Sequence, residues 1–242
     1  MRSEAALGDL GELAERMRPV TLAREQRLPV LPPFERLLGV GLRRGATVAV
    51  GASAGVGGTT SLALALVAQA SVTGSWVAAV GLSSLGLAAA DELGVALEQL
   101  VLVAAPERDA WAGVSAALVD GFDLLLLDAG RGVRPADARR LAARARERGT
   151  VLVPLGPGWP EGADLTLQIT RSRWEGLDDG HGHLRARKVR VVRSGRGEAA
   201  QPRRADLWLP GPDGRVAEVA PVASPQAVPP SAPGERPLRA VS

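Results

Sequence analysis

Short apolar runs alternate along the chain with longer segments whose apolar residues are spaced as in helices. Continuous apolar runs are typical of strands covered on both faces. Five such strands are predicted, over residues 46–50, 76–80, 100–103, 122–128 and 151–155. Helices are predicted over 59–70, 87–94, 109–119 and 135–149, the last with Pro135 at its first position and Gly149 at its end. Strands that alternate with helices indicate an α/β fold with a mainly parallel sheet.

The pattern changes after residue 154. Residues 165–170 and 184–193 alternate apolar with polar or basic residues, which is the period of a strand with one buried face. An acidic, glycine-containing segment, 175–182, separates them. We therefore expect an antiparallel hairpin at the far end of the sheet.

The two ends of the chain differ from its middle. Residues 4–18 predict a short amphipathic helix, and the chain from Pro221 onward is rich in Pro, Ala, Ser and Val without a period. We predict three regions: an N-terminal helix and linker at 1–28, a single core domain at 29–215, and a disordered tail at 216–242.

Composition excludes several classes of function. The chain has no cysteine, which excludes disulfides, thiolate zinc sites and cysteine nucleophiles. It has no apolar run of about 18 residues and no signal-peptide core, so we expect a cytoplasmic protein without a membrane partner. His181 and His183 lie in a glycine-rich stretch that we interpret as an exposed loop, and no metal site is expected.

Positive charge is concentrated late in the chain. Residues 171–204 contain ten Arg or Lys and four acids, a net charge of +6, which leaves −3 for the remainder. Such a segment suits phosphates, nucleic acid or an acidic partner, although a solvated arginine-rich surface is an equally good interpretation. Lys188 is the only lysine, so chemistry that needs a lysine elsewhere is excluded.

The most informative motif is the glycine-rich segment VAVGASAGVGGTTSLALAL, between a predicted strand and a predicted helix. Turns of this kind hold nucleotide phosphates through backbone N–H groups, with a lysine on the terminal phosphates and a Ser or Thr hydroxyl on magnesium. The candidate residues of this degenerate nucleotide-binding loop are Gly51, Gly55, Gly57, Gly58, Thr59 and Thr60.

Gly58 stands at the position of the lysine, and no neighbouring loop residue is cationic. Loss of the lysine is expected to reduce turnover by orders of magnitude, while the amides still bind ATP or ADP weakly. No other cofactor is expected. The turn is also one residue longer than usual if Gly51 is its first glycine, and a strand-to-helix turn without any ligand is the alternative interpretation.

The run FDLLLLDAG ends in Asp128, which can hold a magnesium-bound water at the end of a buried strand. With the glycine loop and the late hairpin in this order, residues 32–210 resemble the RecA ATPase core. The resemblance implies a three-layer fold with a mainly parallel central sheet and a late antiparallel hairpin. Active members carry a water-activating acid after the strand that follows the loop, but here VAAVGLSSLGLAAA contains no acid before Asp91.

RecA-like proteins without this machinery resemble the ImuA family of accessory proteins in bacterial translesion mutagenesis. The resemblance implies a pseudo-ATPase that acts as a scaffold during the SOS response to DNA damage. Its implied partners are an ImuB-like homologue of Y-family polymerases and an error-prone C-family polymerase.

Two other functions stay open. One is a DNA-stimulated ATPase that self-associates and borrows Arg193 or Arg196 from a neighbouring subunit. The other is a partner-binding module that uses the N-terminal helix or the tail.

DNA contact is a further open question. Trp159, in PLGPGWPEGAD, lies where RecA-like proteins carry a DNA-contacting loop and can stack on a base. Arg187, Arg190 and Arg193 are interpreted as facing an acidic partner or a neighbouring subunit. The candidate DNA or partner contacts are Trp159, Arg171, Arg173, Arg187, Arg190, Arg193 and Arg196.

Overall fold

The structure, a computed structural model, describes residues 27–220 except 105–106, 108–109, 131–132, 158, 161 and 179–180. The predictions for the N-terminal helix and for the tail after Pro221 lie outside the described residues. Within the described ranges, no helix is both long and apolar enough to cross a membrane.

The described chain contains short and long strands in this order: β1 (Arg27–Leu28), β2 (Leu42–Arg43), β3 (Val48–Ala52), β4 (Val77–Val80), β5 (Leu100–Val103), β6 (Leu124–Asp128), β7 (Val151–Leu155), β8 (Leu165–Asp178), β9 (His181–Gly195), β10 (Arg203–Trp208) and β11 (Ala217–Glu218). The helices are α1 (Glu35–Leu38), α2 (Thr59–Val72), α3 (Leu87–Glu92), α4 (Trp111–Gly121) and α5 (Pro135–Arg148). Single 3₁₀ turns cover Pro32–Phe34, Leu97–Gln99 and Gly197–Ala199.

One nine-stranded sheet organises the fold. Its strand order is β11-β10-β9-β8-β3-β7-β6-β4-β5, and β1 pairs with β2 separately. The strands from β8 to β5 in this order are parallel, whereas β9, β10 and β11 pair antiparallel. This topology confirms the predicted α/β class, with a mainly parallel sheet and a late antiparallel hairpin.

Two apolar cores cover the two faces of the sheet. On one face, α2 and α3 pack with the segment from Leu28 to Leu42 against β3, β7, β8, β9 and β10. On the other face, α4 and α5 pack on β4, β6 and β7. Residues Leu62 to Ala68 of helix α2 are all apolar, and all of them are buried, so the core surrounds this helix on nearly all sides.

The hairpin is longer than the sequence pattern predicted. The acidic segment 175–182, expected as a loop, continues both strands, so that Leu177 pairs with Gly182 and Asp178 with His181. A register shift between Glu175 and Leu177 accommodates the interruption of the alternating pattern. The histidines therefore belong to β9 and not to a loop.

Strands β10 and β11 were not predicted at all. Ala205 and Leu207 alternate with polar residues and are buried against β9, so the signal was present in the sequence. Strand pairing begins with β1 at Arg27 and ends with β11 at Glu218, so it extends a few residues beyond both ends of the predicted core of 29–215.

Candidate functional site

The glycine-rich turn lies at the carboxyl edge of the parallel strands. It connects the end of β3 at Ala52 with the start of α2 at Thr59. The Ser53 N–H donates to the Ile169 carbonyl oxygen at 2.9 Å, which fixes the beginning of the turn to β8. In open α/β sheets this edge is where ligands bind.

The predicted loop residues occupy three different environments. Gly51 lies inside β3 and pairs with Gln168, so it is a strand residue and not the first glycine of the turn. Gly55 has φ +74° and open space around it, as has Gly57. Thr59 and Thr60 begin α2, with Thr59 half-buried and Thr60 exposed.

Gly58 is in contact with a distant arginine. Its φ is +114°, a conformation that residues with a Cβ rarely adopt. A Cβ at this position would meet Nη1 of Arg187 at 3.0 Å and both its Cζ and Nη2 at 3.1 Å. The guanidinium of Arg187 therefore lies where the side chain of the missing lysine would begin.

The length of the β8–β9 hairpin brings Arg187 to the turn. Ile169 of β8 is paired with Ala52, the last residue of β3. Trp174, further along β8, pairs with Arg187 of β9. The hairpin therefore extends past the end of β3 on the side of the turn, and it carries Arg187 with it.

Arg187 is held firmly in this position. Its Nε donates to the Leu209 carbonyl oxygen at 2.7 Å, and its Cζ lies 4.9 Å from the centroid of the Trp174 ring. Only 6% of the residue is exposed, and burial lowers the pKa of its guanidinium below the ordinary value.

No cation near the turn is predicted from the sequence, although a signal for Arg187 is present in it. Arg187 and Arg193 are in phase with Val189 and Val191, and all four are buried on the same face of β9. Arg187, Arg190 and Arg193, interpreted from the sequence as facing an acidic partner or a neighbouring subunit, do not lie together: Arg187 and Arg193 are buried, whereas Arg190 is out of phase and lies on the opposite face. Arg193 donates to the carbonyl oxygens of Leu37 at 3.2 Å and Gln201 at 2.8 Å, inside the fold.

Acidic side chains are sparse at this edge. Asp128 is half-buried at the end of β6, and its Oδ1 accepts the Gly130 N–H at 2.9 Å. β7 separates β6 from β3 in the sheet. The segment after β4, Gly81 to Gly86, contains no carboxylate. Over the described ranges, no cluster of three or more metal-ligating side chains is present.

A cleft of about 450 Å³ extends from the turn over the sheet. Val56 and Thr59 line it at the turn, Thr166 and Gln168 line it along β8, and Trp159 is a further lining residue. Trp159 is half-buried and packs partly against the core beneath α4 and α5. The structure thus places the predicted base-stacking residue beside the predicted phosphate loop.

The other predicted arginines form a separate surface. Cross-strand pairs put Arg173 beside Lys188 and Trp208, and Arg171 beside Arg190 and Asp206, in two rows on one face of the sheet. We call the surface formed by Arg171, Arg173, Lys188, Arg190 and Arg204 the open basic face. Two acids lie on it: Asp206 forms an ion pair with Arg190, and Glu175 forms an ion pair with Lys188. The hydrogen bond from Arg190 holds the pKa of Asp206 below its ordinary value. Arg196 is exposed and contacts Gly162 away from this face.

Comparison with solved structures places this architecture in the RecA-like class. The structure resembles that of a KaiC-like protein, PH0186, from the archaeon Pyrococcus horikoshii OT3, with a TM-score of 0.57 and 16% sequence identity. The similarity covers 80% of this chain and 98% of that protein. It therefore shows the fold, which is RecA-like.

Sequence comparison gives the family. Residues 35–161, just over half of the chain, match the family described as the MT3502 N-terminal domain, and the chain belongs to that family. The uncharacterized protein Rv3395c of Mycobacterium tuberculosis (strain ATCC 25618 / H37Rv) is 40% identical over 103 residues, which are 42% of this chain. The match spans half the length of that relative.

Proposed function

We propose that this chain is a non-catalytic RecA-like accessory protein of DNA damage tolerance that acts through protein partners. The observation that carries the proposal is the altered turn, in which Gly58 replaces the lysine within an otherwise RecA-like fold. Phosphoryl transfer needs charges positioned for the transition state, and a cation that reaches the turn from another strand helps to hold phosphates but does not replace a missing water-activating acid.

The lack of a water-activating acid supports the same function. A general base must lie within hydrogen-bond reach of the attacking water. The turn after β4, where active RecA-like proteins carry this acid, has none, and Asp91 is exposed in α3. Asp128 is at the far side of β7 and already accepts a backbone N–H. These positions support the proposal of a slow or absent hydrolysis step.

We further propose that translesion mutagenesis is the process served. The support is the resemblance to the ImuA family, which implies an ImuB-like partner and an error-prone C-family polymerase at the nucleoid in the cytoplasm. The open basic face offers a surface of the right charge for an acidic region of such a partner, or for DNA phosphates.

A phosphate-release assay tests the catalytic part of the proposal. The purified full chain is mixed with ATP, Mg²⁺ and single-stranded DNA, and an active RecA-like ATPase serves as the positive control. We expect no release above the protein-free background.

Turnover that disappears in Asp128→Ala would contradict the proposal. If that turnover also rose steeply with protein concentration, in step with light scattering, the DNA-stimulated ATPase with an arginine from a neighbouring subunit would be favoured instead.

A further inference from the structure

Arg187 is a buried cation without a counter-ion. The residue is 94% buried, since 6% of it is exposed, and within the described part of the chain no carboxylate pairs with it. Its Nε is satisfied by Leu209, but Nη1 and Nη2 donate no hydrogen bond to another described residue. Nη1 and Nη2 still reach solvent, so an anion can approach them and offset the cost of holding the charge in a largely buried residue.

The turn beside Arg187 also contains hydrogen-bond donors without a partner among the described residues, and these are backbone N–H groups. Helix α2 is 14 residues long, and its dipole places partial positive charge at this end. Within the turn, the Ser53 N–H donates to the Ile169 carbonyl oxygen and the Val56 N–H to the Ser53 carbonyl oxygen, each at 2.9 Å. Among the described residues, no hydrogen bond is donated by the backbone N–H groups of Gly55, Gly57, Gly58 and Thr59.

The two features meet at one point. The terminal nitrogens of Arg187 lie 3.0 and 3.1 Å from the Cβ position of residue 58, directly before the first residue of α2. Backbone donors at a helix start, together with a guanidinium, are the groups that bind phosphate in proteins. The glycine at position 58 is also what leaves room for the guanidinium.

We propose that Arg187 supplies, from β9 of the same chain, the positive charge missing at position 58, and that the turn binds the phosphates of a nucleoside polyphosphate. The inference rests on the proposed function in one respect, since the absence of a water-activating acid means that the nucleotide is held and not hydrolysed. A nucleotide would then act as a structural or regulatory ligand of an accessory protein.

The neighbouring cleft favours a nucleoside polyphosphate over free phosphate. It opens at Val56 and Thr59 of the turn, and its volume of about 450 Å³ is within the range of small-molecule sites. The half-buried Trp159 and the polar Thr166 and Gln168 line it further along. Because Gln168 pairs with Val192, out of phase with Arg187, this part of the cleft lies on the opposite face of the sheet from the guanidinium. A ligand anchored by its phosphates at the turn has space there for its nucleoside.

Isothermal titration calorimetry with the full chain tests the proposal. MgATP, ADP and pyrophosphate are titrated into the wild type, Arg187→Met, Arg187→Lys and the control Arg185→Met, which removes an exposed arginine from the same strand. Loss of a charged hydrogen-bond donor is expected to weaken MgATP binding about 10- to 100-fold in Arg187→Met. Arg187→Lys should recover most of the affinity, Arg185→Met should stay within about twofold of the wild type, and pyrophosphate should bind more weakly than MgATP.

Three results would overturn the inference. The first is absence of MgATP binding by the wild type. The second is tighter MgATP binding by Arg187→Met, which would show that the guanidinium blocks the turn. The third is pyrophosphate binding as tight as that of MgATP. Binding without hydrolysis supports both proposals, whereas hydrolysis contradicts only the non-catalytic function.

If Arg187→Met does not fold, Gly58→Ala provides the second test. Its Cβ displaces the guanidinium without removing any charge, and it should weaken MgATP binding. The control Gly74→Ala should not, because Gly74 also has a positive φ (+95°) but lies beyond the far end of α2 with nothing within 4 Å of an added Cβ. Unchanged affinity in a folded Gly58→Ala protein would contradict a site at this contact.

Discussion

At the scale of single residues, position 58 is constrained twice. Its backbone has φ +114°, and the space beside its Cα is filled by the guanidinium of Arg187. Either constraint alone disfavours a side chain, and together they exclude a lysine without rearrangement. The position of the Arg187 guanidinium therefore depends on the absence of a side chain at position 58.

Gly58→Ala is expected to destabilise the fold by about 1–3 kcal/mol, because it adds both backbone strain and a close contact with Arg187. The matched control is Gly57→Ala, one residue earlier, where φ is not positive and nothing lies within 4 Å of the added Cβ. The control should be neutral or slightly stabilising, by up to about 1 kcal/mol. Urea unfolding of both variants measures the difference, and equal stabilities would show that position 58 is not strained.

At the scale of elements, the helices are tied to the sheet by a few buried polar contacts as well as by apolar packing. Thr150, 2% exposed just before β7, has its Oγ1 2.8 Å from the Val119 carbonyl oxygen and 2.9 Å from that of Phe122. These carbonyls lie at the C-terminal end of α4, where helices leave acceptors unsatisfied. The hydroxyl therefore fixes the end of α4 to the start of β7.

Thr150→Val keeps the shape of the side chain but removes this donor, and we expect a loss of about 1–3 kcal/mol of unfolding free energy. Thr73→Val is the control: its exposed hydroxyl bonds to the carbonyls of Gln69 and Ala70 at the end of α2, where water can replace it. Its cost should be below about 1 kcal/mol. Thermal unfolding that ranks the two variants in the reverse order would rule out this role of Thr150.

The element that decides the candidate site is the β8–β9 hairpin. Its alternating pattern was recognised, but its length was not, because the acidic residues and glycines of 175–182 are typical of loops. Pairing between two long strands outweighs such local preferences. The added length is what places Trp174 and Arg187 beyond the end of β3.

At the scale of the whole molecule, charge is divided between the two faces of the antiparallel half of the sheet. One face buries Arg187 and Arg193, and the other presents the open basic face to solvent. A buried cation acts at short range, whereas exposed cations attract a large partner and are screened by salt. The two sets of arginines therefore have separate roles in our proposals.

If the proposed ImuB-like partner docks on the open basic face, the double variant Arg171→Glu/Arg173→Glu is expected to weaken its capture from DNA-damaged cells about tenfold or more, because it reverses two charges of that face. Arg36→Glu/Arg43→Glu is the control, since it makes the same charge change at exposed positions of α1 and β2. The wild-type interaction should also weaken as salt increases. Equal loss in both double variants would indicate a general charge effect and not a docking surface.

The sequence by itself determined the local elements and their order. The period of apolar residues located the parallel strands, α2 and α5, and the glycine turn between β3 and α2 was found because each of these signals resides within a short segment. The place of Asp128 at the end of a buried strand followed in the same way.

Only the tertiary structure decided which distant residue lies against Gly58. Arg187 reaches it through strand order, register and hairpin length, and these depend on pairing between segments that are far apart in the chain. A one-residue change of register would have turned Arg187 to the opposite face, so no local pattern could establish the contact.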